Sequence, residues 1–409
     1  MQSANYLIPL ITFPYLTRVL GVSQFGIYAF ILTLSQYFVL FTDFGFNLSA
    51  SKKIAQAGGD EKLISDVYWG TLLAKLIIGL FCCLVVFLIF ILNVGEGKEH
   101  GVIFLILIIS GSVFTPIWFF QGVERLSSLA VINIFSKVMS IPLIFIFVVS
   151  KDDVGLAVLI QGIVALISAV ISQLLVYHSG IVSKLNVRNI KVIEELRASF
   201  PFFISSVAIS LYTMSTPIIL GVVSNSYELG LYTAVDRLRG AVLGVFLVVG
   251  GAIYPRVNNL FISDRVGMYA LLRKVIMVKF VFSITAIFFI YYYASDIICL
   301  VLGDSFIEAE GTLRVMSVQF FTVLFSVFFA NYLLLPFGYQ KIYMLLPIFT
   351  CMLHVVLCYF LAKMLGSLGG AISVTLVELV SMLILAYVTY TKGLLAGMMF
   401  KNRSTDKFK

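Results

Sequence analysis

LLAKLIIGLFCCLVVFLIFIL, residues 72–92, carries one charged side chain, Lys75, in an otherwise apolar run. As an α-helix this stretch is about 31 Å long, which matches the hydrocarbon core of a bilayer. A soluble helix of that length would turn one face to water and would be polar there. The hydrophobicity is continuous rather than alternating, which argues against a membrane β-barrel. The whole chain has the same character. Of its 409 residues 61% are hydrophobic and 12% are charged, with a mean hydropathy of +1.06. A soluble domain carries about twice that share of charge. The sequence is that of an all-α polytopic membrane protein.

Apolar runs between polar breaks predict about twelve transmembrane helices, over 2–20, 26–48, 67–92, 101–120, 128–149, 155–177, 199–222, 231–254, 271–293, 312–335, 342–365 and 369–391. The longest internal polar segment, 178–199, separates an N-terminal six-helix lobe (1–177) from a C-terminal one (200–391), and a basic tail follows (392–409). Lysine and arginine set the orientation. With the N-terminus inside, the inner loops and tail hold eighteen basic residues and the outer loops and outer span ends hold five. Both termini are therefore expected in the cytoplasm. The net charge of +8 is spread over many short loops, so it reads as a topology signal and not as a nucleic-acid surface.

The two lobes repeat each other. LGVSQFGIYAF (20–30) and LGVVSNSYELGLYTAV (220–235) place Gly26 and Tyr28 opposite Gly230 and Tyr232, at an offset of 204. Lys75 and Lys279 have the same offset. Six spans separate the copies, so both share one orientation in the membrane, and a parallel pseudo-two-fold repeat follows. Two such bundles suggest alternating access.

Covalent chemistry has no foothold. The five cysteines lie in apolar runs without a C-x-x-C pair, and the three histidines share no metal-ligand spacing. No nucleophile elbow, Walker loop or dinucleotide fingerprint occurs. The expectation is a protein that is not an enzyme and has no cofactor, metal or catalytic residue.

The informative residues are the charges inside spans. Lys75, Lys137, Arg237, Arg239 and Lys279 are cationic, and each costs about 2.5–3.5 kcal/mol at a helix centre unless a partner or water meets it. Lys75 and Lys279 lie near the cytoplasmic end and can snorkel. Lys137 is mid-span and shares a face with Asn133, Ser136 and Ser140, which calls for a wet or protein-lined surface. Asp236 and Arg239 can pair at i, i+3, leaving Arg237 on another face. The reading is then either a structural ion-pair cluster or an anion site, since the guanidinium fork suits phosphate oxygens. Asp43, near the inner end of its span, either caps, pairs with Lys52 or Lys53, or couples an ion. Glu378, mid-span, is either paired with a distant cation or protonated, and is a candidate ion-coupling acid.

ANYLIPLITFPYLTRVLGVSQFGIYAF followed by TDFGFNLSASKKIA, together with GAIYPRVNNL, resembles the O-antigen flippases, the Wzx-type polysaccharide exporters of the MATE and oligosaccharidyl-lipid exporter superfamily. The resemblance implies two six-helix lobes around a cation-lined cavity. It implies movement of an undecaprenyl-pyrophosphate-linked oligosaccharide, the O-antigen repeat unit, from the inner to the outer leaflet of the bacterial inner membrane. O-antigen polymerase machinery is the implied protein partner. By location in the first and eighth helices, Arg18, Arg237 and Arg239 are the implied pyrophosphate ligands, with Lys137, Lys75 and Lys279 as further substrate-binding cations. Such proteins usually carry a short basic segment before the first helix. Met1 stands only four residues before Asn5, so the expectation is either that translation begins upstream or that this copy inserts poorly. The alternative is a MATE-like ion-coupled antiporter of small organic molecules, which predicts an acid-dominated cavity. A membrane glycosyltransferase or polymerase would need an acid pair in a large outer loop, and the loop at 294–311 is acidic but short.

Overall fold

A computed structural model describes residues 2–92, 99–183 and 191–395. The expectations for Met1, for the middle of the 178–199 segment and for most of the basic tail lie outside the described residues. Among the described residues there are only helices and turns. Nine helices are long and apolar enough to cross a membrane, or ten if the bent pair Val192–Leu211 and Thr213–Val223 is one span. The chain divides into two compact units, Ser3–Met214 and Ser215–Lys409.

The first unit contains α1 (Gln2–Asp43), α2 (Phe46–Gln56), α3 (Glu61–Ile91), the short α4 (Glu99–Val102), α5 (Leu105–Phe114), α6 (Ile117–Gly122), α7 (Leu126–Phe147), α8 (Val154–His178) and most of α9 (Val192–Val223). α1 covers two predicted spans. The expected five-residue gap between them is a single non-helical residue, Gly21, at φ 69° and ψ 175°. The second unit contains α10 (Ser226–Ser263), α11 (Arg265–Val301), a 3-10 turn (Asp304–Ala309), α12 (Glu310–Ser317), α13 (Gln319–Val327), a π-helical segment (Phe328–Leu334) and α14 (Gln340–Thr391). α14 again covers two predicted spans and is interrupted at Gly366, φ 56°.

The division between the units falls inside α9, some fifteen residues after the predicted linker ends. The first two-thirds of α9 belong to the first unit because their side chains are committed there. Glu195 accepts from Lys53 at 2.7 Å, the hydroxyls of Ser199 and Ser49 are hydrogen-bonded, and Phe203 stacks on Phe44 at 4.5 Å. Gly45 allows this approach. It has φ 76°, and a Cβ there would stand 2.7 Å from the Phe203 nitrogen and 2.8 Å from the Ser199 carbonyl oxygen.

Two boundaries differ from expectation for local reasons. α10 runs through Pro255 to Ser263, where a stop at 254 was expected; proline bends a helix but need not end it. α11 begins at an N-cap, Asp264, whose carboxylate accepts from the Gly267 amide at 2.9 Å, and it continues to Val301. The acidic outer loop expected at 294–311 is therefore largely helix. Each unit has its own aromatic core. In the first it gathers Phe46, Tyr68, Trp118, Phe119 and Phe120, and in the second Phe328, Phe329, Tyr332 and Met268.

Candidate functional site

The first unit holds a polar cluster built around a broken helix. Predicted span 101–120 is α5 and α6, separated at Thr115–Pro116, where Thr115 takes extended angles (φ −90°, ψ 106°). Pro116 has no N–H, so it cannot serve the carbonyl of Ser112 four residues earlier. A carbonyl freed at membrane depth needs another donor. The Thr115 N–H reaches it at 3.3 Å, and the ammonium of Lys75, from α3, adds the shorter bond at 2.8 Å. The neighbouring freed carbonyl, that of Phe114, accepts from the Gln173 carboxamide of α8 at 2.6 Å.

Lys75 Nζ also donates to Asp43 Oδ1 at 2.7 Å and lies 5.0 Å from the centroid of Trp118. Lys75 is 1% exposed. It does not snorkel; it is a buried cation satisfied by a carboxylate, a carbonyl and a ring face. Asp43 ends α1 just before two left-handed residues, Phe44 (φ 41°) and Gly45 (φ 76°). Its second oxygen accepts from Asn47 Nδ2 at 3.3 Å. The expected partners Lys52 and Lys53 are not used, and Lys53 pairs with Glu195. One ammonium thus ties two irregular points, the α1–α2 kink and the α5–α6 break.

Asp43 and Ser112 border an open cavity of about 410 Å³ lined by residues of the first unit. Lys137 lines it, with Asn133 and Ser136 from the same helix, Gln36 from α1, and Gln161 and Ser168 from α8. Three members of the predicted polar stripe therefore do meet in one cavity. The fourth, Ser140, is buried and returns its hydroxyl to the Lys137 carbonyl at 2.6 Å.

In the second unit Lys279 repeats the behaviour of Lys75. It is 6% exposed, donates to the Leu324 carbonyl at 3.0 Å, and lies 5.0 Å from the Tyr332 ring centroid. Leu324 stands four residues before the π-helical segment. Each lysine thus binds a carbonyl just before an irregular point in a neighbouring helix and meets an aromatic ring, Trp118 just past the α5–α6 break and Tyr332 within the π-helical segment.

The arginine cluster is only partly as expected. Arg239 pairs with Asp236 at 2.6 Å, and its other terminal nitrogen donates to Gln319 Oε1. Gln319, fully buried, passes its amide to Thr375 Oγ1 at 2.8 Å. The guanidinium fork of Arg239 is therefore engaged within the unit. Glu378, on α14 one turn beyond Thr375, lies within electrostatic reach of Arg239. That places a cation beside an acid that has none nearby in sequence. Arg237 is half-buried on α10. Arg18, in α1 just before the Gly21 break, is exposed. His354 is buried against Thr216 at 3.0 Å, and all five cysteines are free thiols.

Gln36 is readable from the sequence, on one helix face with Thr33, Asp43 and Asn47, but reading charges misses the carboxamides Gln161 and Gln319, which mark the two polar clusters. A scan for amide side chains inside apolar runs would have found them. It also misses Ser112 and Pro116, whose i, i+4 spacing marks a carbonyl without its α-helical donor.

The family described as "Polysaccharide biosynthesis protein" matches residues 1–261. A candidate O-antigen transporter of Escherichia coli (strain K12) is 31% identical over 399 residues, covering 96% of this chain and 95% of that protein. One from Shigella dysenteriae is 28% identical, covering 94% and 96%. Among solved structures, an inward-facing multidrug resistance MATE family transporter of the MOP superfamily aligns with a TM-score of 0.69 at 16% identity, over 97% of both chains. The lipid II flippase MurJ, inward closed, aligns at 0.68 and 14%, over 96% of this chain and 88% of that one. These structural likenesses show a MATE-like fold. A match over residues 1–261, with relatives alike along nearly the whole length, settles the family: this multi-pass membrane chain belongs to the polysaccharide biosynthesis protein family.

Proposed function

We propose that this protein is a flippase that carries an undecaprenyl-pyrophosphate-linked oligosaccharide, an O-antigen repeat unit, from the inner to the outer leaflet of a bacterial inner membrane by alternating access. The observation that carries this reading is Lys137, a mid-span cation that borders a polar cavity inside a membrane-spanning unit. A charged, hydroxylated head group crosses hydrocarbon slowly because it must shed its water. Cavity cations and amides replace that hydration while the isoprenoid stays in lipid. No bond is made or broken, which agrees with relatives named as transporters.

In this reading the chain makes twelve spans. α1 and α14 each count as two, because at about 1.5 Å per residue each is roughly twice as long as a bilayer is thick, and each has one glycine break. Lobes 1–177 and 200–391, joined by 178–199, are a parallel repeat with cytoplasmic termini. The matching burial of Tyr28 and Tyr232 and of Lys75 and Lys279 supports that duplication. Arg237, Lys137 and Arg18 are the proposed pyrophosphate ligands. Arg239, Lys75 and Lys279 are engaged by protein groups and act by positioning. Asp43 and Glu378 are the proposed ion-coupling acids, and the polymerase that consumes the repeat unit is the proposed partner.

The MATE-like antiporter reading is weaker here. It needs carboxylates open to a cationic substrate, whereas Asp43 and Asp236 are held by Lys75 and Arg239 at 2.7 and 2.6 Å. The test is complementation. In a strain deleted for its own flippase and supplied with the matching repeat-unit genes, the chain should restore surface polysaccharide. Restored resistance to cationic drugs without polysaccharide would favour the antiporter instead.

A further inference from the structure

The cavity of the first unit has a chemistry that phosphate binding does not explain. Its polar lining is mostly neutral. Gln36 and Gln161 each present a carboxamide, and among the described residues neither makes a side-chain hydrogen bond to protein. The Ser136 hydroxyl lies on the same wall, is buried, and has no hydrogen-bond partner. Asn133 is engaged only by Ser168, through a long contact of 3.4 Å. An unpaired carboxamide or hydroxyl in a membrane-spanning unit costs free energy comparable to a lost hydrogen bond. Ser136, buried, carries that cost in full and half-buried Gln161 carries it in part, while Gln36 presents its carboxamide from an exposed position.

Two ligand classes fit poorly. The one carboxylate on the lining, Asp43, is held at 2.7 Å by Lys75, and the other charge is Lys137, so the cavity repels a metal ion or an organic cation. Among the described residues no group of three or more histidine, cysteine or acidic side chains could hold a metal. A compact dianion only accepts, so it would take the Lys137 ammonium and the carboxamide N–H groups and leave both carboxamide carbonyl oxygens without a donor. A group that donates and accepts at several points uses all of them. Vicinal hydroxyls on a ring are such a group. Apolar wall positions such as Leu32, Val39, Ile108 and Val164 suit the C–H faces between those hydroxyls. The volume, about 410 Å³, lies within the range of small-molecule sites.

We infer that the cavity of the first unit is a carbohydrate subsite: it takes one sugar ring of the glycan, with Gln36 and Gln161 as its specificity-determining residues and Ser136 completing the hydrogen bonds, while Lys137 at its wall stays with the pyrophosphate. This rests on the flippase reading and assigns the glycan, as distinct from the pyrophosphate, to a place in the fold.

The test uses the full-length protein in nanodiscs, in a Trp69→Phe background so that Trp118, which stands beside Thr115 and Ile117 of the cavity wall, is the remaining fluorophore. The probe is the lipid-free, dephosphorylated repeat-unit oligosaccharide whose lipid-linked form the protein complements in cells. Saturable quenching is expected. Gln36→Leu and Gln161→Leu should each weaken it tenfold or more, with an unchanged or higher midpoint of thermal unfolding. An unchanged or raised midpoint separates a binding role from a packing role. Complementation by the wild type together with no quenching, or with equal quenching in both leucine variants, would overturn the subsite and leave the flippase standing. Failure of the wild type to complement any repeat-unit pathway would remove the flippase reading and this inference with it.

Discussion

Lys75 Nζ lies 2.8 Å from the carbonyl oxygen of Ser112, the acceptor that Pro116 cannot serve. The same nitrogen holds Asp43 at 2.7 Å. Breaking a buried pair by removing one partner costs about 3–5 kcal/mol. Lys75→Met should therefore lower the unfolding midpoint in detergent and reduce membrane abundance. Pro116→Ala restores an N–H four residues after Ser112, so in the Lys75→Met background it should recover part of the loss. The two changes should couple by about 1 kcal/mol in a double-mutant cycle. Strict additivity would mean that the lysine does not act through that carbonyl.

Gly45 gives a second prediction. Its φ of 76° is left-handed, and a Cβ would stand 2.7 Å from the backbone nitrogen of Phe203. Backbone cannot yield as a side-chain tip can. Gly45→Ala should cost at least about 2 kcal/mol, adding left-handed strain to overpacking. Gly58, also left-handed at φ 59° but with nothing within 4 Å, isolates the strain term. Gly58→Ala should cost about 1 kcal/mol. Equal costs at both positions would remove the argument from close packing.

Why some of this was legible and some was not follows from the range of each interaction. Continuous apolar runs report membrane helices locally, so the all-helical membrane class could be read directly. A single glycine in an apolar run looks the same whether it continues a helix or breaks it. The gaps expected at 21–25 and 366–368 do contain the breaks, Gly21 and Gly366, but each break is one non-helical residue and the rest of each gap is helix. Asp236 and Arg239 are one turn apart, and their pairing was readable. Asp43 and Lys75 are on different helices 32 residues apart, and no spacing rule joins them. Arg239 meets Gln319 across 80 residues for the same reason. The stripe of Asn133, Ser136 and Lys137 announced a polar surface, but its partners Gln36 and Gln161 come from other helices.

Topology can be tested independently of transport. Alkaline phosphatase fused after Arg197 should be inactive and one fused after Asp304 should be active, as the eighteen-to-five bias of basic residues requires. Asp304 opens the 3-10 turn that follows α11, so the fusion joins at the end of a complete helix. The reverse pattern would invert every span and move Lys75 and Asp43 to the outer side.

The two arginines of α10 should separate by phenotype. Arg239 is fixed by Asp236 and Gln319, so Arg239→Ala leaves a half-buried carboxylate and a buried carboxamide oxygen without their partner. It should act through folding, with abundance and unfolding midpoint falling together. Arg239→Lys should rescue little, because one ammonium does not reproduce the fork that reaches both partners. Arg237 is proposed to meet pyrophosphate. Arg237→Ala should abolish surface polysaccharide at normal abundance, and Arg237→Lys should restore it in part, since a point charge still attracts phosphate without bidentate contact. Glu378 supplies the control between these cases. It stands within reach of Arg239, so Glu378→Gln removes a charge while keeping shape. If Glu378 couples an ion, that variant should fold normally and lose the dependence of flipping on external pH. If it serves only to balance Arg239, transport and pH dependence should both persist and stability alone should fall. Loss of abundance in Arg237→Ala equal to that in Arg239→Ala would place Arg237 in the structural network and withdraw it from the substrate site.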